Sequence, residues 1–161
     1  MQIPDGVTIS VDGLTVKVKG PKGEVEKTFK AKGASIEING SSVEVLAPSP
    51  AIKGTLEAHI RNMVKGVQDG YTRKLKLIYA HFPFTLEIKG QTVKVKNLLG
   101  EKLPRTFNVI GNTKVEVKGQ DVTISGPDKE AVGQTVANFK RSLRIKDKDC
   151  RVFQDGAYEV V

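Results

Sequence analysis

The 161-residue sequence has one cysteine, two histidines and no tryptophan, and each scarcity removes a class of protein. With Cys150 as the single thiol, neither an internal disulfide framework nor a thiolate zinc site can form. Lys146, Lys148 and Arg151 around it favour a thiolate, but Asp147 and Asp149 offset them, so no reactive thiol is expected. His59 and His81 stand 22 residues apart and no cluster of carboxylates joins them, so no metal and no cofactor is expected. No apolar run approaches the roughly 18 residues of a membrane span, and the Met1-Gln2-Ile3-Pro4-Asp5-Gly6 start lacks the basic and apolar regions of a secretory signal. The expectation is a soluble protein of a reducing compartment with no membrane partner. Acidic side chains are also in deficit, 18 against 26 Lys and Arg, leaving a net charge of +8 and a pI near 9.6. That balance points to a polyanionic partner and says nothing of fold.

Catalytic patterns are missing too. There is no phosphate-binding Walker loop, no dinucleotide Gly-x-Gly-x-x-Gly, no Gly-x-Ser-x-Gly elbow and no His-Glu-x-x-His. The glycines fall at hairpin turns, where positive φ explains them.

What is present is a repeat. Thr15-Val16-Lys17-Val18-Lys19 returns as Thr92-Val93-Lys94-Val95-Lys96, an offset of 77, and Thr28-Phe29 as Thr106-Phe107, an offset of 78. Ile36-Glu37-Ile38-Asn39-Gly40 then corresponds to Val115-Glu116-Val117-Lys118-Gly119 at 79, and Val43, Pro48, Ser49 and Gly54 to Val122, Pro127, Asp128 and Gly133. Two one-residue loop insertions account for the drift. The chain is therefore expected to hold two copies of one small unit, residues 1–78 and 79–161.

Each copy alternates like strands and then turns helical. Val7, Ile9 and Val11 run to Asp12-Gly13, Leu14, Val16 and Val18 follow, Pro21-Lys22-Gly23 turns into Val25–Phe29, and Asn39-Gly40 joins Ile36 and Ile38 to Val43 and Val45. Ser49 as N-cap and Pro50 at the first position open a helix whose face is Ile52, Leu56, Ile60, Met63, Val64 and Val67, with Gly70 to close it. The second copy turns at Lys89-Gly90, Gly111-Asn112 and Lys118-Gly119, and its helix opens at Asp128 and presents Val132, Val136, Phe139 and Leu143. The fold class is α+β, a tandem duplication of an antiparallel sheet packed against one helix.

The charge has a location. Residues 1–80 carry 12 basic and 8 acidic side chains and residues 81–161 carry 14 and 10. In the second half, Lys140, Arg141, Arg144, Lys146, Lys148 and Arg151 face only Asp147 and Asp149 within residues 138–151, and everything else in that half is neutral. One or two cations would serve the helix dipole, and six exceed that need, which points to a polyanion site. In the first copy Lys17 and Lys19 have Glu24 and Glu26 across the turn, a solvated ladder. Lys94 and Lys96 face Glu101, Lys102 and Arg105, with fewer acids to neutralise them. Phe153 and Tyr158 follow the last helix beside Arg151, Gln154 and Gly156, placed either to dock the tail on its own sheet or to stack on bases. The aromatics around His81 read as packing between the copies, and His59 as a packed side chain. The competing reading is a small-molecule enzyme or binding module with a cleft between the repeats near His59 and His81, but no acid, base and nucleophile converge there.

At these residues the chain resembles a known family, large-subunit ribosomal protein six of the universal set, in its archaeal and eukaryotic form. The resemblance spans essentially the whole chain. It rests on Val18-Lys19-Gly20-Pro21-Lys22-Gly23-Glu24, on His59-Ile60-Arg61-Asn62-Met63-Val64-Lys65-Gly66-Val67, on Tyr79-Ala80-His81-Phe82-Pro83, on Gly126-Pro127-Asp128-Lys129-Glu130-Ala131-Val132-Gly133-Gln134, and on the tail from Arg144 to Gly156. Bacterial relatives carry Tyr-Lys-Gly-Lys-Gly in the tail, where this chain has its Lys146 to Tyr158 segment. Cys150 and Ala157 depart from the larger apolar residues expected there. The resemblance implies a non-enzymatic scaffold of the cytoplasmic ribosome. It would be monomeric there, bound to large-subunit ribosomal RNA near the sarcin-ricin loop, with neighbouring proteins near the stalk base where translational GTPases dock. It also implies contact mainly through the second domain. Lys140, Arg141, Arg144, Lys146, Lys148 and Arg151 are then expected to meet phosphates, Gln154, Tyr158 and the backbone around Gly156 a shallow minor groove, and Phe153 a base by stacking if it does not dock the tail. Lys94 and Lys96 add to the same surface.

Overall fold

The computed structural model describes residues 2–39, 42–149 and 151–160. It divides into two units, Met1–Tyr71 with Pro127–Lys129, and Thr72–Gly126 with Glu130–Val161. Both mix helix with antiparallel strands, as the alternation and the helical faces require.

In the first unit β1 (Thr8–Asp12), β2 (Thr15–Gly20) and β3 (Gly23–Thr28) form a meander, and β4 (Ser35–Asn39) pairs with β5 (Ser42–Leu46). The Asp12-Gly13 turn is as expected, with Gly13 at φ 58°. At the Asn39-Gly40 turn, Gly40 lies outside the described residues. Pairing Ile9 with Val18 and Val11 with Val16 puts the apolar residues of β1 and β2 on one face. Helix α1 (Pro50–Gln68) covers them. Its N-cap Ser49 accepts the Ala51 N–H, and Leu56, Ile60, Met63, Val64 and Val67 are buried against Val16, Val18, Val25, Phe29, Ile36, Val43 and Val45. At its end the Val67 carbonyl accepts the Lys22 N–H of the β2–β3 turn at 2.9 Å, so a group the helix leaves unpaired is satisfied by the sheet.

The second unit contains β6 (Tyr71–Ile78), β7 (Thr85–Lys89), β8 (Thr92–Lys96), β9 (Arg105–Asn108), β10 (Lys114–Lys118), β11 (Asp121–Gly126), helix α2 (Lys129–Ser142) and β12 (Gly156–Val160). β7, β8 and β9 repeat the meander, while the second sheet has the order β10-β11-β6-β12. Val132, Val136 and Phe139 of α2 and the following Leu143 are buried, and the Phe139 ring meets Phe107 edge-on at 5.1 Å.

Two features differ from the sequence expectation. Each unit holds two sheets, because the chain after Thr28 and after Asn108 leaves the meander before the next ladder begins. The second sheet also gains two strands with no counterpart in the first unit. β6 follows directly on α1, its buried Leu75 and Leu77 alternating with exposed Lys74 and Lys76, and β12 lies antiparallel on it, with Gly156 opposite Ile78 and Tyr158 opposite Lys76.

Two glycines separate tight packing from helix propensity. A Cβ on Gly20 would stand 2.9 Å from the Val67 carbonyl oxygen and 2.9 Å from its Cγ2, whereas a Cβ on Gly54 in α1 meets nothing within 4 Å. Gly20→Ala will destabilise the protein by about 1–3 kcal/mol. Gly54→Ala will stabilise it by about 0.5–1 kcal/mol. Urea midpoints moving in the same direction for both would contradict the packing described.

Candidate nucleic-acid interface

The C-terminal turn of α2 is where the expected cations gather. The helix buries Ala131, Val132, Thr135, Val136 and Phe139, so its phase turns Lys140 and Arg141 outward. Leu143 is buried just beyond, which leaves Arg144 exposed. The carbonyls at this end do not depend on those side chains. Arg105 of β9 donates from one guanidinium nitrogen to Ser142 O and Arg144 O, both at 3.0 Å, while Glu101 grips the other side of the guanidinium. The Arg105 hydrogen bond holds the Glu101 carboxyl below its ordinary range. Dipole compensation is thus supplied from the neighbouring strand, and the surplus on α2 is left for another purpose.

A groove of about 700 Å³ opens between this helix end and the returning tail. Lys140, Arg141, Arg144 and Lys148 line one wall, and Phe153, Asp155, Gly156 and Tyr158 line the other. On the far side of the same ridge a depression of about 750 Å³ is lined by Arg105, Arg141, Arg144 and Lys146, together with Glu101. Arg141 and Arg144 therefore face both hollows. Among the described residues Arg141, Arg144, Lys146 and Lys148 have no carboxylate within ion-pair distance. Lys140 reaches Glu159 at 3.8 Å, and Arg73 takes the same carboxylate at 3.1 Å.

Other expected site residues stand apart. Arg151 folds onto Asp149 through paired hydrogen bonds of 2.9 and 3.1 Å, which lower the Asp149 carboxyl, and it lines neither hollow. Gln154 is exposed. On β8, Lys96 pairs with Glu87, and Lys94 lies opposite Glu87 and Thr106. The second hairpin is therefore partly neutralised, like the first, where Lys17 meets Glu26 at 3.2 Å. The strand facing β8 on its other edge supplied the acid that the β9 side lacks. Cys150 lies outside the described residues.

The tail is fixed by a buried carboxylate. Asp155 accepts the Ala80 N–H at 2.8 Å, the Phe82 N–H at 3.4 Å and a 3.3 Å hydrogen bond with His81 Nδ1. Burial pushes its pKa up, but these donors prevail and hold it below the ordinary Asp value. The His81 ring stacks on Phe153 with centroids 4.2 Å apart and planes 14° from parallel, so one face of Phe153 is already covered. Tyr158 projects from β12 and is 44% exposed. The aromatics around His81 thus pack the tail of the second unit. In the first unit, His59 contacts Phe29 and hydrogen-bonds Lys27 Nζ. No group of His, Cys, Asp and Glu able to hold a metal occurs among the described residues, and no helix among them is long and apolar enough to cross a membrane.

Sequence reasoning missed Arg105 and Asp155 as the residues that shape this surface. In the sequence Arg105 reads only as one more charge on its strand. No local signal marks Asp155, because the N–H groups it meets lie 75 and 73 residues earlier in the chain.

The family model described as Ribosomal protein L6 matches residues 3–70 and 82–156. Among curated proteins the chain is similar to large ribosomal subunit protein uL6 of Aeropyrum pernix, 46% identical over 98% of this chain and 90% of that protein. The protein of the same description from Methanosarcina mazei is 42% identical over 99% and 94%, and that from Methanobrevibacter smithii 44% identical over 98% and 92%.

Removing the Asp155 acceptor strands two N–H groups, so Asp155→Ala will cost roughly 1–3 kcal/mol for each that stays buried. Because the native pKa of Asp155 is depressed, its contribution is complete above the ordinary value of 3.8 and is lost as pH falls through the lower native value. Urea unfolding followed against pH will show the wild-type advantage over Asp155→Ala shrinking on acidification. A gap unchanged down to the lowest accessible pH would refute the assignment.

Proposed function

The chain belongs to the ribosomal protein L6 family, a structural component of the large ribosomal subunit and not an enzyme, and from that membership we propose that it binds large-subunit ribosomal RNA through the α2 ridge and the tail, near the sarcin-ricin loop and the stalk base of the cytoplasmic ribosome. There it would support the region where translation factors dock. We take the chain to be a duplication, residues 1–78 and 79–161, whose second copy carries the RNA surface. The observation that supports this most is the set of four cations, Arg141, Arg144, Lys146 and Lys148, without carboxylate partners on a ridge between two hollows.

The mechanism is positional. Arg105 and Asp155 hold the two walls of the groove in place, so phosphates meet cations that are ordered before binding. Lys140 and Arg151 would exchange a carboxylate for a phosphate at a smaller gain. Tyr158 and the open face of Phe153 offer surfaces for ribose or base, and Gln154 and the Gly156 region reach polar groups of a shallow minor groove. Lys94 and Lys96 add long-range attraction.

Binding of a ribosomal RNA fragment containing the sarcin-ricin loop will weaken with salt at a log–log slope of roughly 3 to 4 for four phosphates, rising toward 5 if Lys140 and Arg151 also engage. Alanine at Arg141, Arg144, Lys146 or Lys148 will each lower that slope by about one, whereas Lys17→Glu with Lys19→Glu will leave affinity nearly unchanged. Truncation is no test, since residues 138–161 include the buried Phe139 and Leu143 and all of β12. Filter binding across a salt series decides the matter, and an affinity indifferent to salt would overturn the RNA assignment.

A further inference from the structure

The first unit has a hollow that ribosomal RNA binding by the second does not use. About 440 Å³ in volume, it lies where the chain leaves β3 and passes the first turns of α1. Its apolar wall is made by Phe29, Ala31, Ala51, Ile52 and Leu56. Its rim is cationic. Lys30 and Lys32 stand on it, residues 27–36 hold no Asp or Glu, and His59 borders the same hollow. The carboxylates next in sequence are engaged elsewhere, Glu26 with Lys17 at 3.2 Å and Glu57 with Lys53 at 4.0 Å.

We infer that this hollow docks an acidic segment of another protein, one that places an apolar side chain against Ile52 and Leu56 and carboxylates beside Lys30 and Lys32. Charge complementarity selects the sign of the partner, and the wall selects its class. A nucleotide needs an open aromatic face or base-edge hydrogen bonds. Phe29 is buried and is approached by His59 on one side and by Lys27, 5.9 Å from its centroid, so it offers no open platform. The Thr55 hydroxyl gives its proton to Ala51 O at 2.9 Å. Aliphatic surface flanked by the two ammonium groups of Lys30 and Lys32 is what an amphipathic acidic peptide fits.

The test uses the intact chain and backbone-amide NMR. A short synthetic peptide alternating Leu and Phe with Glu and Asp will give saturable shifts at Ala31, Ile52, Thr55 and Leu56, and the same peptide with Lys in place of its acids will not. Lys30→Glu with Lys32→Glu, both at exposed positions, will weaken the acidic peptide about tenfold or more without changing the thermal melt. Ala51→Arg, also exposed, will block the mouth and do the same. The inference is overturned if the basic peptide binds equally well, if oligouridine shifts these amides and the acidic peptide does not, or if none of them moves.

Discussion

The surface attributed to RNA binding depends on the return of the chain to its own sheet. Between the end of α2 and the start of β12 the described residues form no helix or strand, and a segment this rich in like charges would repel itself if it were loose. Asp155 prevents that by accepting hydrogen bonds from the Ala80–Phe82 loop with a buried carboxylate, and β12 then extends the anchor along β6. Fixing both ends of a loop removes most of its freedom before any partner arrives. The His81–Phe153 stack adds a third point between them. The cations of the groove are held apart by covalent and hydrogen-bonded constraints that a polyanion does not have to supply.

The same logic governs the helix end. A C-terminus with its carbonyls unpaired would draw its own lysines and arginines inward, and the apparent surplus would be consumed locally. Arg105 removes that demand because it is itself neutralised by Glu101, four residues earlier, and so brings fixed hydrogen bonds with little added net charge. The pair in β9 and its approach thereby sets how much of the α2 charge faces solvent. Net charge along the sequence does not reveal this, since Arg105 and Arg144 count alike until their partners are known.

The local vocabulary of the fold was legible. Positive-φ turns at Gly13, Gly90 and Gly119, the Ser49 cap, the Pro50 start and the inward faces of both helices are written in neighbouring residues, and the offset of the two copies is plain in Thr15–Lys19 and Thr92–Lys96. The basic ridge was legible too, because Lys140, Arg141, Arg144, Lys146 and Lys148 lie close together in the sequence. What escaped were relations between distant residues. Nothing near Leu75 or Leu77 says that residues 156–160 will lie beside them, and nothing near Lys96 says that Glu87, on the preceding strand, rather than Glu101 will take its charge.

The placement of β12 also orders events in time. β6 is made about eighty residues before its antiparallel partner, so a growing chain presents a strand edge of exposed N–H and C=O groups until residues 156–160 have emerged. The strands of the first unit pair with near neighbours in sequence, a local pairing that forms early. During synthesis those ladders are in place while β6 still carries an open edge. The solvent-facing Lys74 and Lys76 on that waiting strand are the kind of charged side chains that keep such an edge from pairing with another copy.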